Sequence, residues 1–96
     1  MKTKESIQNA LREALPELKK KYPIQTLSLF GSYSREEYNS DSDIDILVEF
    51  SNPVGIEFID LADELEELLT AKVDLVSKHG VKQKYLKEIE NELVHV

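Results

Sequence analysis

The sequence contains no cysteine. That absence excludes disulfides, thiol catalysis and thiolate metal sites together, and it is compatible with a reducing cytosol. Positive charge is also scarce: 12 Lys and Arg against 19 Asp and Glu give a formal net charge of -7. Such a chain has no broad basic surface to track a nucleic-acid backbone, so long nucleic acid is not the expected partner. Long apolar runs are missing too. Nothing approaches transmembrane length, and Met1-Lys2-Thr3-Lys4-Glu5 leads into an amphipathic pattern, not the apolar core of a signal peptide. A soluble cytoplasmic protein that does not engage a membrane is expected. Its 96 residues suit one domain, residues 1–96, with a single small core and no separate substrate domain.

What is present is an alternation of helical and strand patterns. From Ser6 to about Lys21, Ile7, Ala10, Leu11, Ala14, Leu15 and Leu18 fall on one helical face. Pro16 lacks a donor and crowds the preceding turn, which predicts a kink or restart, and Tyr22-Pro23 predicts the helix end. Ile24 to Phe30 reads as a buried strand closed by Gly31. Ser32 to Glu37 reads as a short helix capped by Ser32, with Glu36 and Glu37 in its first turns. Asn39 to Ser42 is turn chemistry. Asp43 to Phe50 alternates Asp43, Asp45, Leu47 and Glu49 against Ile44, Ile46, Val48 and Phe50, the period of a strand.

Beyond the break at residues 51–55, Ile56, Ile59, Ala62, Leu65, Leu68 and Leu69 predict the inner side of a second helix. Glu57, Asp60, Asp63, Glu64, Glu66 and Glu67 form its solvated acidic side. Lys72 to Val76 is a third short strand carrying Asp74, and Ser77 to Gly80 turns the chain. Val81, Tyr85, Leu86, Ile89 and Leu93 then mark a last helix or helix pair. The fold class is α/β (α+β): about three strands with helices packed on the sheet. The pattern leaves the relative strand directions open.

The chemistry lies between Phe30 and Phe50, with one addition. Carboxylates at i and i+2 on a strand project from one face, so Asp43 and Asp45 are placed to share hard divalent cations. Asp74 is the best third carboxylate, because it sits in a strand pattern whereas Asp60 and Asp63 sit on the polar side of a helix. Such a set leaves coordination positions free for water and substrate phosphate, the usual way Mg²⁺ is held. A pair of such ions stabilises the attacking and leaving oxygens of an in-line displacement, which is phosphoryl or nucleotidyl transfer. Gly31 lets a phosphate approach the main chain, Ser32 offers a hydroxyl and an amide, and Arg35 is one turn further on. Asp41 reads as a turn cap. Lys78, His79, Lys82 and Lys84 read as scattered surface charge, and Tyr33 and Tyr38 as packing or surface residues.

Gly31-Ser32, ten intervening residues, then Asp43-Ile44-Asp45 reproduce a GS-x10-DxD signature. With Arg35, Ser42 and Asp74, the chain resembles, over essentially its whole length, the minimal nucleotidyltransferases (MNT family) of the DNA polymerase beta-like superfamily. The resemblance implies a nucleotidyltransferase fold with a mixed sheet. It also implies ATP as substrate with two Mg²⁺ ions, the metals held by Asp43, Asp45 and Asp74 as the catalytic set and the phosphates by Gly31 and Ser32. Many such proteins are antitoxins that silence an all-helical HEPN-domain toxin by transferring AMP to one of its tyrosines. This chain departs from many members in carrying Glu36 where they carry Gly. Two other outcomes stay open at this point: an antitoxin that neutralises its partner by binding alone, and transfer to a small molecule or an RNA end.

Overall fold

The computed structural model describes residues 2–96. The first helix, α1 (Lys4–Lys21), begins two residues earlier than the apolar spacing suggests, because a capping box defines its start. The Ser6 amide donates to Thr3 Oγ1 at 3.1 Å and the Thr3 amide donates to Ser6 Oγ at 2.9 Å. The expected restart at Pro16 does not occur, and α1 is one helix. Proline deprives the Arg12 carbonyl of its donor, but Arg12 and Pro16 both face solvent, where water can satisfy that carbonyl. Lys19, Lys20 and Lys21 complement the negative end of the helix dipole.

Strand β1 (Ile24–Phe30) leads directly into a single helical turn, α2 (Gly31–Ser34). This turn is shorter than the helix expected over residues 32–37, and it starts at Gly31 after Phe30, so Ser32 is not its cap. Glu36 lies outside it with φ +60°, in the left-handed region. Glycine enters that region at no steric cost, whereas an L side chain costs about 1–2 kcal/mol there. The conformation is thus one that the Gly expected here from the family resemblance would adopt without strain. After the loop comes β2 (Ile44–Phe50), then α3 (Glu57–Leu69), β3 (Val73–Ser77), a 3₁₀ turn at Lys78–Gly80, α4 (Gln83–Glu90) and β4 (Val94–His95).

The sheet has four strands in the order β3-β2-β1-β4. β1 pairs antiparallel with both β2 and β4, and β2 pairs parallel with β3, so the sheet is mixed. The fourth strand is an addition to the sequence reading, which extended the last helical pattern through Leu93. Two residues are too few to show a period. Ile44, Ile46, Val48 and Phe50 of β2 are buried together with Leu27 and Leu29 of β1, and with Ile7, Leu11 and Leu18 of α1.

α3 buries a different stripe from the one expected. Leu61, Leu65 and Leu69 are in the core, with Phe58 and Ala62 packed against it, while Ile56 and Ile59 are 70% and 60% exposed and Leu68 is 40% exposed. Two apolar stripes overlap on this helix, and spacing alone cannot rank them. The buried one puts Phe58 edge-on against Phe50, ring centroids 6.4 Å apart. Truncating the two stripes separates them: Leu65→Ala is expected to lower unfolding stability by about 2–5 kcal/mol, and Ile59→Ala by no more than about 0.5 kcal/mol, in urea melts of the purified variants.

Candidate active site

The strand directions decide where the chemistry-bearing residues meet. Because β2 is antiparallel to β1 and parallel to β3, the C-terminal end of β1 lies beside the N-terminal ends of β2 and β3. Gly31 follows β1 immediately, Asp43 immediately precedes β2, Asp45 is the second residue of β2, and Asp74 is the second residue of β3. Register tightens the grouping: Asp45 is paired with Phe30 on one side and with Asp74 on the other. Neighbouring strands are about 4.8 Å apart, so Asp45 and Asp74 stand side by side on one face.

Gly31 has φ +73° and is buried. A Cβ at this position would collide with the Asp45 carboxylate, standing 2.9 Å from its Cγ. Glycine is therefore required twice here, by backbone conformation and by space. Ser32 is half-buried in the same turn. The turn's shape is held internally: Ser34 Oγ donates to the Gly31 carbonyl at 3.0 Å, and the Glu37 amide donates to the Ser32 carbonyl at 2.8 Å. Tyr33, buried, stacks on Tyr38 with centroids 4.2 Å apart and planes 12° from parallel, so this pair packs the underside of the loop. The Asp41 amide donates to Asn39 Oδ1 at 2.8 Å and the Asn39 amide to Ser42 Oγ at 3.0 Å, which makes residues 39–42 a side-chain-locked turn.

Asp45 is half-buried, between exposed Asp43 and exposed Asp74. Burial, then the charges of Asp74 and Asp43, a hydrogen bond shared with Asp74 and the charge of Glu92 push its carboxyl up from 3.8 to about 6. Like charges held this close are poised for a cation. The donor set, three carboxylates and no nitrogen or sulfur, fits a hard ion such as Mg²⁺. Among the described residues no three acidic, histidine or cysteine side chains are yet drawn together closely enough to hold a metal ion. An open set of this kind suits Mg²⁺, which keeps waters and shares its remaining positions with phosphate oxygens.

Sequence reasoning missed one residue at this end of the sheet. Glu92, between α4 and β4, accepts the Gly31 N–H through Oε1 at 2.9 Å and Arg35 Nη1–H through Oε2 at 2.7 Å. Arg35 Nε also donates to Glu37 Oε2 at 3.2 Å, so its guanidinium lies between two carboxylates. The only sequence signal for Glu92 is an acidic residue directly ahead of the apolar Leu93-Val94. A cleft of about 380 Å³ adjoins the cluster, lined by Tyr33, Ser42, Asp43, Thr70 and Lys72 among others. A larger cavity, about 520 Å³, lies at the opposite end of the sheet against Phe50, Val54 and His79. Size favours the larger one, but it contains none of the carboxylates. Lys78, also at that far end, pairs with Glu49 at 3.6 Å.

The sequence profile described as "Nucleotidyltransferase domain" matches residues 11–95. The chain belongs to that family. It is 46% identical over its full length to a candidate protein adenylyltransferase of Methanocaldococcus jannaschii, covering all of that protein. It is 40% identical, again over its full length, to the protein adenylyltransferase MntA of Thermococcus cleftensis, covering 98% of it. Among solved structures, a candidate minimal nucleotidyltransferase superposes with a TM-score of 0.84 at 30% identity, with 99% of this chain and 97% of the other covered. A toxin–antitoxin structure with AMP-PNP matches with a TM-score of 0.71 at 28% identity, covering 96% of this chain and 70% of that one. A tri-AMPylated HEPN toxin of Shewanella oneidensis in complex with an MNT antitoxin matches equally well, with a TM-score of 0.71 at 26% identity, covering 93% and 70%. Membership of the minimal nucleotidyltransferases and the mixed sheet expected from it are both borne out. Among the described residues no helix is long and apolar enough to cross a membrane.

The raised Asp45 carboxyl has a consequence for stability. The folded protein holds this proton more tightly than the unfolded chain does. The favourable contribution is therefore complete below about pH 4 and lost as pH rises through about 6. Solvent screening of a half-buried group reduces the effect to about 1 kcal/mol, or roughly 5 °C in Tm. In thermal melts of the protein in chelator, Asp45→Asn is expected to remove that fall, leaving the variant more stable than the parent at about pH 8.

Proposed function

We propose that this protein is a Mg²⁺-dependent protein adenylyltransferase that transfers AMP from ATP to a tyrosine hydroxyl of a HEPN-domain toxin. It would thereby act as the antitoxin of a cytoplasmic pair, with residues 1–96 as one catalytic domain. The observation that carries the reading is the meeting of Asp43, Asp45 and Asp74 with Gly31 at one end of the sheet. The protein adenylyltransferases to which the chain is similar over its full length support it. So does the AMPylated HEPN toxin found with an antitoxin of the same fold.

In this reading the Gly31-Ser32 turn holds the triphosphate, Ser32 through its hydroxyl and amide and Gly31 by letting a phosphate approach the main chain, and Arg35 offsets the carboxylates at the same end. Asp43, Asp45 and Asp74 hold the metal ions. Bound Mg²⁺ would neutralise charge on the transferring phosphate and stabilise the entering and leaving oxygens. The acceptor hydroxyl oxygen attacks the α-phosphorus, the bond from that phosphorus to the bridging oxygen of the β-phosphate breaks, and pyrophosphate leaves. Asp74, exposed at the rim of the cluster, takes the hydroxyl proton. Asp45 is kept beside Asp74 by strand pairing, so the two carboxylates stay aligned without side-chain rearrangement. The cleft of about 380 Å³ beside Asp43 is where an acceptor side chain would enter.

Incubation with Mg²⁺, ATP labelled at the α-phosphate and a HEPN-domain toxin is expected to label that partner on tyrosine. Asp43→Ala together with Asp45→Ala should lower the rate by at least ~10³-fold. Label that survives the double substitution, or neutralisation of the partner by the double variant at wild-type potency, would overturn the proposal. The second result would point to masking.

A further inference from the structure

Glu92 makes two charge-assisted contacts at the phosphate-binding turn, yet the transfer reaction gives it no part. Its carboxylate joins the turn's backbone to the turn's only arginine: Oε1 accepts from Gly31 N–H at 2.9 Å and Oε2 from Arg35 Nη1–H at 2.7 Å. The side chain is only 24% exposed. It is held from behind by β4, where Val94 and His95 pair with Leu29 and Ser28. His95 Nδ1 lies 2.8 Å from the buried Ser28 Oγ, and the Val96 amide donates to the Leu27 carbonyl at 3.1 Å. β4 therefore fixes where Glu92 meets the end of β1.

A carboxylate beside a polyphosphate site repels the ligand unless it is neutralised. Arg35 neutralises this one. Glycine has no intrinsic preference for the φ +73° that Gly31 adopts, because it populates positive and negative φ about equally. A hydrogen bond from its amide to a fixed acceptor holds the peptide plane entering Gly31 and so restrains the turn beside Asp45.

We infer that Glu92 is a positioning residue for nucleotide binding: it holds the Gly31 amide and the Arg35 guanidinium together, so the turn is shaped before the triphosphate arrives. Arg35 then acts on the nucleotide through Glu92, by cancelling its charge, and not as a direct phosphate ligand. This inference rests on the nucleotidyl-transfer reading above.

Calorimetric titration of the full chain with AMP-PNP and Mg²⁺ tests it. Glu92→Ala is expected to weaken binding about 10-fold, the loss of one charge-assisted hydrogen bond. Glu92→Gln keeps an oxygen acceptor for Gly31 and removes the charge, so it should stay within about 3-fold of the parent. Arg35→Ala leaves Glu92 charged beside the triphosphate and should weaken binding about 10-fold or more, and adding Glu92→Gln should recover most of that loss. A penalty from Arg35→Ala that persists undiminished in the double variant would mean that Arg35 grips phosphate directly, and would overturn the inference. Parent-like binding by Glu92→Ala would overturn it as well. If the parent chain itself binds no AMP-PNP, the transfer reading fails and the positioning role falls with it, an outcome distinct from failure of the variants alone. The Gly31 amide proton provides a readout free of nucleotide. In ¹H–¹⁵N spectra it should lie downfield in the parent and move upfield in folded Glu92→Ala, which removes the acceptor; an unmoved resonance counts against the bridge.

Discussion

Three strands converge on one crowded carboxylate. Asp45 has Phe30 opposite it on β1, Asp74 beside it on β3 and Asp43 two residues ahead on the same chain. Held between burial and like charge, its carboxyl titrates near 6 instead of near 4. Folding into a hydrogen-bonded sheet is what keeps these repelling groups together, because the register is set by the backbone and by the apolar face beneath. Ile44, Ile46 and Val48 are buried on the other side of β2. A one-residue slip would turn all of them toward solvent. Core packing thus determines the separation of the carboxylates, and the carboxylates determine that Gly31 can bear no side chain.

The sheet's mixed topology follows from the same requirement. A parallel β2–β3 pair needs a crossover, and α3 provides it while burying Leu61, Leu65 and Leu69 in the core. The crossover brings Asp74 level with Asp45. On the opposite side, β1 needs only the loop from Gly31 to Asp43 to reach β2 antiparallel, and that loop carries the Gly31-Ser32 turn. β4 then closes the free edge of β1 and delivers Glu92 to Gly31. Each connection of this small sheet carries one component to the same end.

The most legible parts of the sequence were those whose period the sheet preserves. Asp43 and Asp45 alternate with Ile44 and Ile46, and the carboxylates and the core face could be read from that alone. Asp74 could be chosen over Asp60 and Asp63 because it lies in a strand pattern. α3 was harder, since Ile56, Ile59 and Leu68 form a second stripe as apolar as the buried one, and only packing of Phe58 on Phe50 decides between them. Pro16 suggests a kink or a restart, and α1 runs through it as one helix without restarting. β4 is two residues long, below any periodic signal, and without it no residue near the C-terminus had a reason to reach Gly31. Glu92 was invisible for that reason, and nothing in the local residue pattern marks the left-handed backbone at Glu36.

In the proposed reaction, a nucleoside triphosphate and its cations bind at the end of the sheet bounded by Gly31, Asp43, Asp45 and Asp74. A crystal structure of this protein with AMP-PNP and Mn²⁺ in place of Mg²⁺ tests it most directly, since anomalous scattering locates the cations independently of the refined ligand. Anomalous peaks are expected within about 2.3 Å of the Asp43, Asp45 and Asp74 oxygens, with the triphosphate lying along Gly31-Ser32. Triphosphate density in the cavity against Phe50 and Val54, or a triphosphate bound with no cation at the three carboxylates, would contradict it.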